Sequence, residues 1–268
     1  MRAAAYSAFT VNALQARLAY RHTIWAGAFG DLVFIFARIA IWVSIYGAAT
    51  STAMFAGVTL PEMITYSLLA GPLLYWDYSR LLGEVDTAVR SGDVAVYLLK
   101  PLHYPAYLLA SHLGHFLFEL VAITLPVALI IGLVFGLLPP ASLFHGLAFL
   151  AYWPLSFMLL FALATLLGLA AFWLMTAQSI DWFFNAIMTL LSGGLVPLWF
   201  FPGWLAAFAG HLPFAWISYY PAAVYLGKLD PAQTLLYFAL GLGWLAALLL
   251  SLAWLWSRAR HRLILQGG

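Results

Sequence analysis

The sequence predicts an all-α integral membrane protein of about six transmembrane helices, and three observations carry that reading. Hydrophobic residues make up 65% of the 268 and charged residues only 7%, whereas a soluble domain is about one quarter charged. Apolar runs of bilayer length recur along the whole chain, separated by short polar or Pro/Gly-bearing breaks. The basic residues also fall almost entirely on one side of the alternation those runs imply. The net charge of +2 is too small to point to nucleic acid, and the absence of Cys excludes disulfides, thiolate metal sites and cysteine nucleophiles.

Residues 1–23 carry Arg2, Arg17 and Arg21, with Val11, Leu14 and Leu18 at helical spacing. They read as an amphipathic helix lying at the membrane interface; the apolar run begins too late and is too long for a cleaved signal peptide. Residues 24–268 read as one six-helix membrane domain. Its first span runs from about Ile24 to Ala49 and is interrupted by Asp31 and Arg38. A second runs from Pro61, a good first-turn residue, to Tyr78.

The one sizeable polar island follows, Arg80 to Pro101. Leu81, Leu82, Val85, Ala88 and Val89 form an apolar stripe there, while Glu84, Asp86 and Arg90 lie largely off it. Ser91-Gly92-Asp93 stops this helix, because Gly tolerates the backbone that ends a helix and Ser and Asp cap or turn. A short amphipathic helix held at a membrane surface is a handle that another protein can pull.

Pro101 and Pro105 delay the third span to about Ala106, and Pro139-Pro140 end it near Leu138. The fourth run, Leu143 to Met175, exceeds a bilayer's need and carries Pro154, so it is expected to tilt, kink or project. The fifth span starts near Trp182 and loses helical character at Gly193-Gly194 and Pro197. Residues 193–228 then read as broken, partly re-entrant helices loaded with Trp199, Trp204, Trp216, Tyr219, Tyr220 and Tyr225, as suits an interface. The sixth span, about Ala232 to Trp256, leads to Arg258, Arg260 and Arg262. With Arg2, Arg17, Arg21, Arg80, Arg90 and Lys100 these place both termini and the polar island on the cytoplasmic side, leaving Lys228 outside.

No phosphate-binding G-x-x-x-x-G-K-[ST] loop is present: the Gly227-Lys228 pair is followed by Leu229. Leu191-Ser192-Gly193-Gly194 spells part of an ATPase signature, but within a span it reads as a helix break. His112, His115 and Glu119, at i, i+3 and i+7, share a face of the third span. That pattern suits either a metal site, hence an intramembrane metal-dependent enzyme, or interhelical hydrogen bonding. Buried charges need partners, and counting depth from the start of each span pairs Arg38 with Glu119. Tyr66, Tyr75 and Trp76 on the second span, with Phe184 and Met188 on the fifth, are candidates for the wall of an aromatic cavity.

Two stretches resemble a known family. Val89-Arg90-Ser91-Gly92-Asp93 with Leu98-Leu99-Lys100-Pro101-Leu102 is similar to the "IRSGDxxxxLLRPL" segment of type-2 ABC exporter permeases, which are related to O-antigen and ABCG-like transporters. Gly194-Leu195-Val196-Pro197-Leu198-Trp199-Phe200-Phe201-Pro202, Tyr220-Pro221 and Tyr225-Leu226-Gly227-Lys228 extend the resemblance. Lys100 stands where the family commonly has Arg.

The resemblance implies a multi-pass protein of the bacterial cytoplasmic membrane, in contact with its lipids, that exports a lipophilic or amphipathic substrate. It pairs with a second copy or a sister permease and with two ABC ATPase subunits, which bind the ATP and Mg; the permease itself binds no cofactor and is no enzyme. The resemblance makes Gly83, Glu84, Asp86, Arg90, Ser91, Gly92, Asp93 and Lys100 the ATPase-coupling set. Gly193, Gly194, Pro197, Phe200 and Phe201 belong to the outer gate. Asp31, Arg38, His115 and Glu119 remain intramembrane polar residues whose role is open. A channel or scaffold that works without an ATPase is the other alternative.

Overall fold

The computed structural model describes residues 2–18, 21–47, 57–71, 78–99, 102–170, 173 and 178–266, and every regular element among them is helical. In chain order these are α1 (Arg2–Leu18), α2 (Arg21–Gly47), α3 (Leu60–Leu69), α4 (Tyr78–Ser91), α5 (Asp93–Leu99) and α6 (Tyr104–Glu119). A π-helical segment, Leu120–Thr124, joins α6 to α7 (Leu125–Phe135). Then come α8 (Leu143–Ala170), α9 (Gln178–Leu191), α10 (Gly203–His211), α11 (Tyr219–Tyr225) and α12 (Pro231–Gln266), with short 3-10 turns at Leu198–Phe200 and Pro213–Trp216.

Four stretches have the length and apolarity to cross a bilayer: Trp25–Gly47, Tyr104–Phe135, Leu143–Ala170 and Pro231–Arg260. They correspond to the first, third, fourth and sixth predicted spans. The second is seen as the ten-residue α3, and the fifth as the fourteen-residue α9. α8 continues through Pro154. The third ends at Phe135, three residues earlier than predicted, because Gly136 takes the left-handed backbone (φ 72°) and its N–H closes on the Gly132 carbonyl at 3.0 Å.

α1 does not stand alone as a lead-in. It runs parallel to α6 along its whole length, with Tyr6 Oη accepting from the His103 N–H at 3.0 Å and the Phe9 ring meeting Tyr107 edge-on at 5.0 Å. Thr10 Oγ1 donates to the Ala110 carbonyl at 2.8 Å. Gly114 permits the approach, since a β-carbon there would run into the Thr10 carbonyl and stand 2.9 Å from that of Ala13. α2 then continues beside the π segment and α7, through Gly27 opposite Ile123, Ile35 near Val127, and Phe36 against Phe135.

α8 is the post the other helices lean on. Near its C-terminal end it packs α4: Tyr78, Leu81, Val85 and Ala88 join Leu160, Phe161, Ala164 and Leu169 in the largest apolar cluster, with Trp256 and Ala259 of α12. A β-carbon at Gly168 would lie 2.9 Å from that of Val85, so the missing side chain sets how closely α4 seats. Near the other end, Tyr152 and Leu155 pack Trp216, Tyr220 and Val224 from the broken segment. The polar island and the broken segment therefore occupy opposite ends of one helix.

Candidate functional site

The island folds as its spacing requires. Tyr78, Leu81, Leu82, Val85 and Ala88 are buried, while Arg80, Gly83, Thr87, Arg90 and Ser91 face outward. Burying a Leu or Val side chain is worth about 1.5–3 kcal/mol relative to water, so Leu81, Leu82 and Val85 alone anchor the helix firmly. Arg90 Nε donates to both oxygens of Asp86, at 2.9 and 3.0 Å, an i,i+4 pair on the exposed side. Gly92 has φ 78°, a backbone that only Gly adopts cheaply. Ser91 Oγ donates to Asp93 Oδ2 at 2.7 Å and fixes the start of α5. An open cleft of about 410 Å³ lies between α4 and α5, lined by Arg80, Gly83, Glu84, Thr87, Ala88, Asp93 and Tyr97. Of the predicted coupling set, Lys100 lies outside the described residues.

Glu84 behaves differently from its neighbours. Its Oε2 lies 3.1 Å from Nε2 of His112, a residue only 1% exposed in the middle of α6. His115, one turn on, meets His112 edge-on at 5.5 Å and lies within electrostatic reach of Arg17, Arg80 and Glu84. At the end of α6, Glu119 Oε1 accepts from Arg17 Nη2 at 3.0 Å. Ser79 Oγ donates to Asp181 Oδ1 at 2.9 Å, tying the first turn of α4 to that of α9. The handle is thus wired to α6 and α9 by polar contacts and to α8 by apolar packing.

One sequence reading is corrected here, and one of two open alternatives finds no support. Glu119 pairs with Arg17, not Arg38. Because α1 lies beside α6, α2 starts level with the π segment, and Arg38 stands about 20 Å further along the bundle than Glu119 at 1.5 Å per residue. Nor do His112, His115 and Glu119 converge as a metal site: His112 faces Glu84 and Glu119 faces Arg17. Among the described residues no three His, Asp or Glu side chains are grouped to hold a metal.

At the opposite end, α9 stops at Leu191 and Gly193 takes φ 73°. A β-carbon at Gly193 would lie 2.9 Å from that of Tyr219. Tyr66 Oη donates to the Gly193 carbonyl at 2.7 Å. Arg38, 4% exposed, donates from Nη1 to the Gly194 carbonyl at 2.6 Å and from Nη2 to the Ser67 carbonyl of α3 at 2.7 Å. The Gly194 N–H donates to Ser192 Oγ, and the Ser192 carbonyl accepts from the Tyr219 N–H at 3.0 Å. Beyond Pro197, the Phe200 ring stacks on Trp42 at 5.4 Å, and Phe201 packs against the cluster of Trp216 and Tyr220.

Of the predicted cavity wall, Tyr75 and Trp76 lie outside the described residues. Tyr66 serves the helix break, and Phe184 and Met188 point into the core around Tyr78 and Phe214. The outward face of α9 carries Trp182, Phe183, Asn185 and Leu190 instead. Asp31 is half-buried on α2, apart from Arg38. Sequence reasoning missed Ser79, Asp181 and the partner of Glu84. One usable signal was Glu119, an acid in an apolar helix that demands a cation, with Arg17 on the amphipathic helix able to supply it.

No curated protein and no solved structure matches the chain. Residues 32–267, from within α2 to the end of α12, match the family model described as ABC-2 family transporter protein. The chain, multi-pass in architecture and with an amphipathic handle at one end, belongs to the ABC-2 transporter family as a membrane permease component.

Proposed function

We propose that this permease works as the membrane half of an ATP-driven exporter in the bacterial cytoplasmic membrane, with α4 and α5 as the part that a separate ABC ATPase moves. The observation that carries the reading is the disposition of α4: one face is buried against α8, two polar contacts lead from it to α6 and α9, and its remaining charged face is open. Closure of the ATPase pair around ATP and Mg would push α4. The push would reach α6 through Glu84–His112, α9 through Ser79–Asp181, and α8 through Val85–Gly168.

In this account α3 and α9 belong to the second and fifth of six spans, and α1 lies along the cytoplasmic half of the third, beside α6, rather than flat at the membrane interface. Two permeases, identical or sister chains, enclose the path of a lipophilic or amphipathic substrate. Both termini and α4 face the cytoplasm, and the broken segment of residues 193–228 is the outer gate. A photo-crosslinking residue replacing exposed Thr87 tests the docking face in native membranes. Capture of an ABC ATPase from Thr87, and not from lipid-facing Trp254 on α12, is the expected result; equal capture from both positions, or none from Thr87, would refute it.

A further inference from the structure

Arg38 is an expensive residue to bury. A cation at the centre of a membrane helix costs about 2.5–3.5 kcal/mol on insertion scales, and a chain that keeps one there gives it a task. Here two contacts of its guanidinium are backbone carbonyls, one on the next helix in the chain and one more than 150 residues away. One is Ser67 in the last turn of α3, where a cation also meets the negative end of the helix. The other is Gly194, just past the break of α9.

The adjoining carbonyl of Gly193 is held by the Tyr66 hydroxyl. Two consecutive carbonyls of a broken segment, each costly to leave unpaired in apolar surroundings, are therefore tied to α2 and α3. The segment has little freedom to shift locally. Gly193 is pressed against Tyr219, and the Ser192 carbonyl is already bonded to the Tyr219 N–H.

We infer that Arg38 and Tyr66 form a latch that holds residues 192–194 in place and keeps the outer gate closed in this conformation, so that opening requires these hydrogen bonds to break. The inference rests on the reading of residues 193–228 as a gate and adds the residues that control it. Arg38 and Tyr66 act as positioning residues, with no contact to substrate implied.

The chain has no Cys, so a single engineered thiol reports without background. Ser218 adjoins Tyr219 behind the latched segment, is 1% exposed, and its hydroxyl has no hydrogen-bond partner among the described residues; Ser218→Cys is therefore a mild change. Labelling of this thiol by a membrane-impermeant maleimide, applied to intact cells, is compared in the S218C protein alone and with Tyr66→Phe or Arg38→Met added. Tyr66→Phe removes one hydroxyl from a side chain whose ring stays in place, so it tests the latch even where Arg38→Met fails to fold.

Losing one buried hydrogen bond is expected to raise the labelling rate about tenfold in Y66F, and R38M is expected to raise it further. Rates within about twofold of the parent in Y66F, with the variant monodisperse after purification, would overturn the latch. The same thiol, followed in inverted vesicles that enclose the impermeant maleimide, with and without ATP added outside, separates the two claims. Fast labelling in Y66F with no ATP effect on the parent keeps the latch and removes the ATP-driven reading, and an ATP effect with an unchanged Y66F rate does the reverse.

Discussion

Glu84 is the residue on which the handle and the membrane helices meet. The resemblance assigns it to the ATPase-coupling set, and the structure turns its carboxylate to buried His112. Glu84→Gln keeps the size and weakens the bond. It is expected to leave the assembled complex intact and to reduce the ATP-dependent change in S218C labelling by about tenfold, the equivalent of about one buried hydrogen bond. An undiminished ATP response in E84Q would remove Glu84 from the route.

The Arg17–Glu119 pair makes a separate prediction about stability. Arg17→Leu removes the cation that faces the Glu119 carboxylate and is expected to cost about 3 kcal/mol, whereas Arg17→Leu with Glu119→Leu is expected to recover most of that loss, because an apolar pair replaces a half-buried ionic one. Thermal unfolding in detergent of both singles and the double reads the coupling; simple additivity would mean the two side chains do not act as a pair.

His103, just before α6, adds a pH term: burial first, and the charge of Arg260 second, hold its pKa below the usual imidazole value. The folded protein therefore resists protonation there. As pH falls below about 6.5 the unfolded chain takes the proton first, so stability declines through that window and is unaffected above it. His103→Asn should flatten this part of a melting-temperature profile, and an unchanged slope would show that other groups set it.

Elements were legible to the degree that their cause is local. The stripe of Leu81, Leu82 and Val85, the stop at Gly92 and the break at Gly193 follow from spacing and from the backbone freedom of Gly, and each is found where the sequence puts it. How elements register against each other is not local. Nothing in the periodicity of residues 1–23 says that α1 runs alongside α6, and that one packing choice displaces every depth counted from a span's start, including the Arg38–Glu119 pairing. The contact responsible is visible at Gly114, and Gly114→Val is expected to push α1 off α6. Faster tryptic cleavage at Arg17 would report the separation, and unchanged cleavage would refute that role.

The same logic applies to α4. Gly168→Ala is expected to unseat it from α8 by crowding Val85, while Gly83→Ala, with open space around it, is expected to leave the helix in place. Relative protection of Arg90 from trypsin in the two variants distinguishes them, and equal protection would show that Gly168 does not set the seat.

For the molecule as a whole, α8 links the two ends to which the proposal gives different tasks: α4, seated against Gly168, and the broken segment that packs near Tyr152 and Leu155. A movement of α4 that tilts α8, α6 or α9 can reach residues 192–194 without any carrier other than packed helices. The central claim is that the open face of α4 receives an ABC ATPase. Purification of the tagged permease from its native membrane in mild detergent, with mass spectrometry of the proteins that accompany it, tests this most directly when repeated with Thr87→Glu and Asp93→Lys on the exposed face. Recovery of an ABC ATPase with the parent chain and its loss from the variant is the expected result. Absence of any ATPase from the parent even after crosslinking, or its undiminished recovery with the altered face, would contradict the claim.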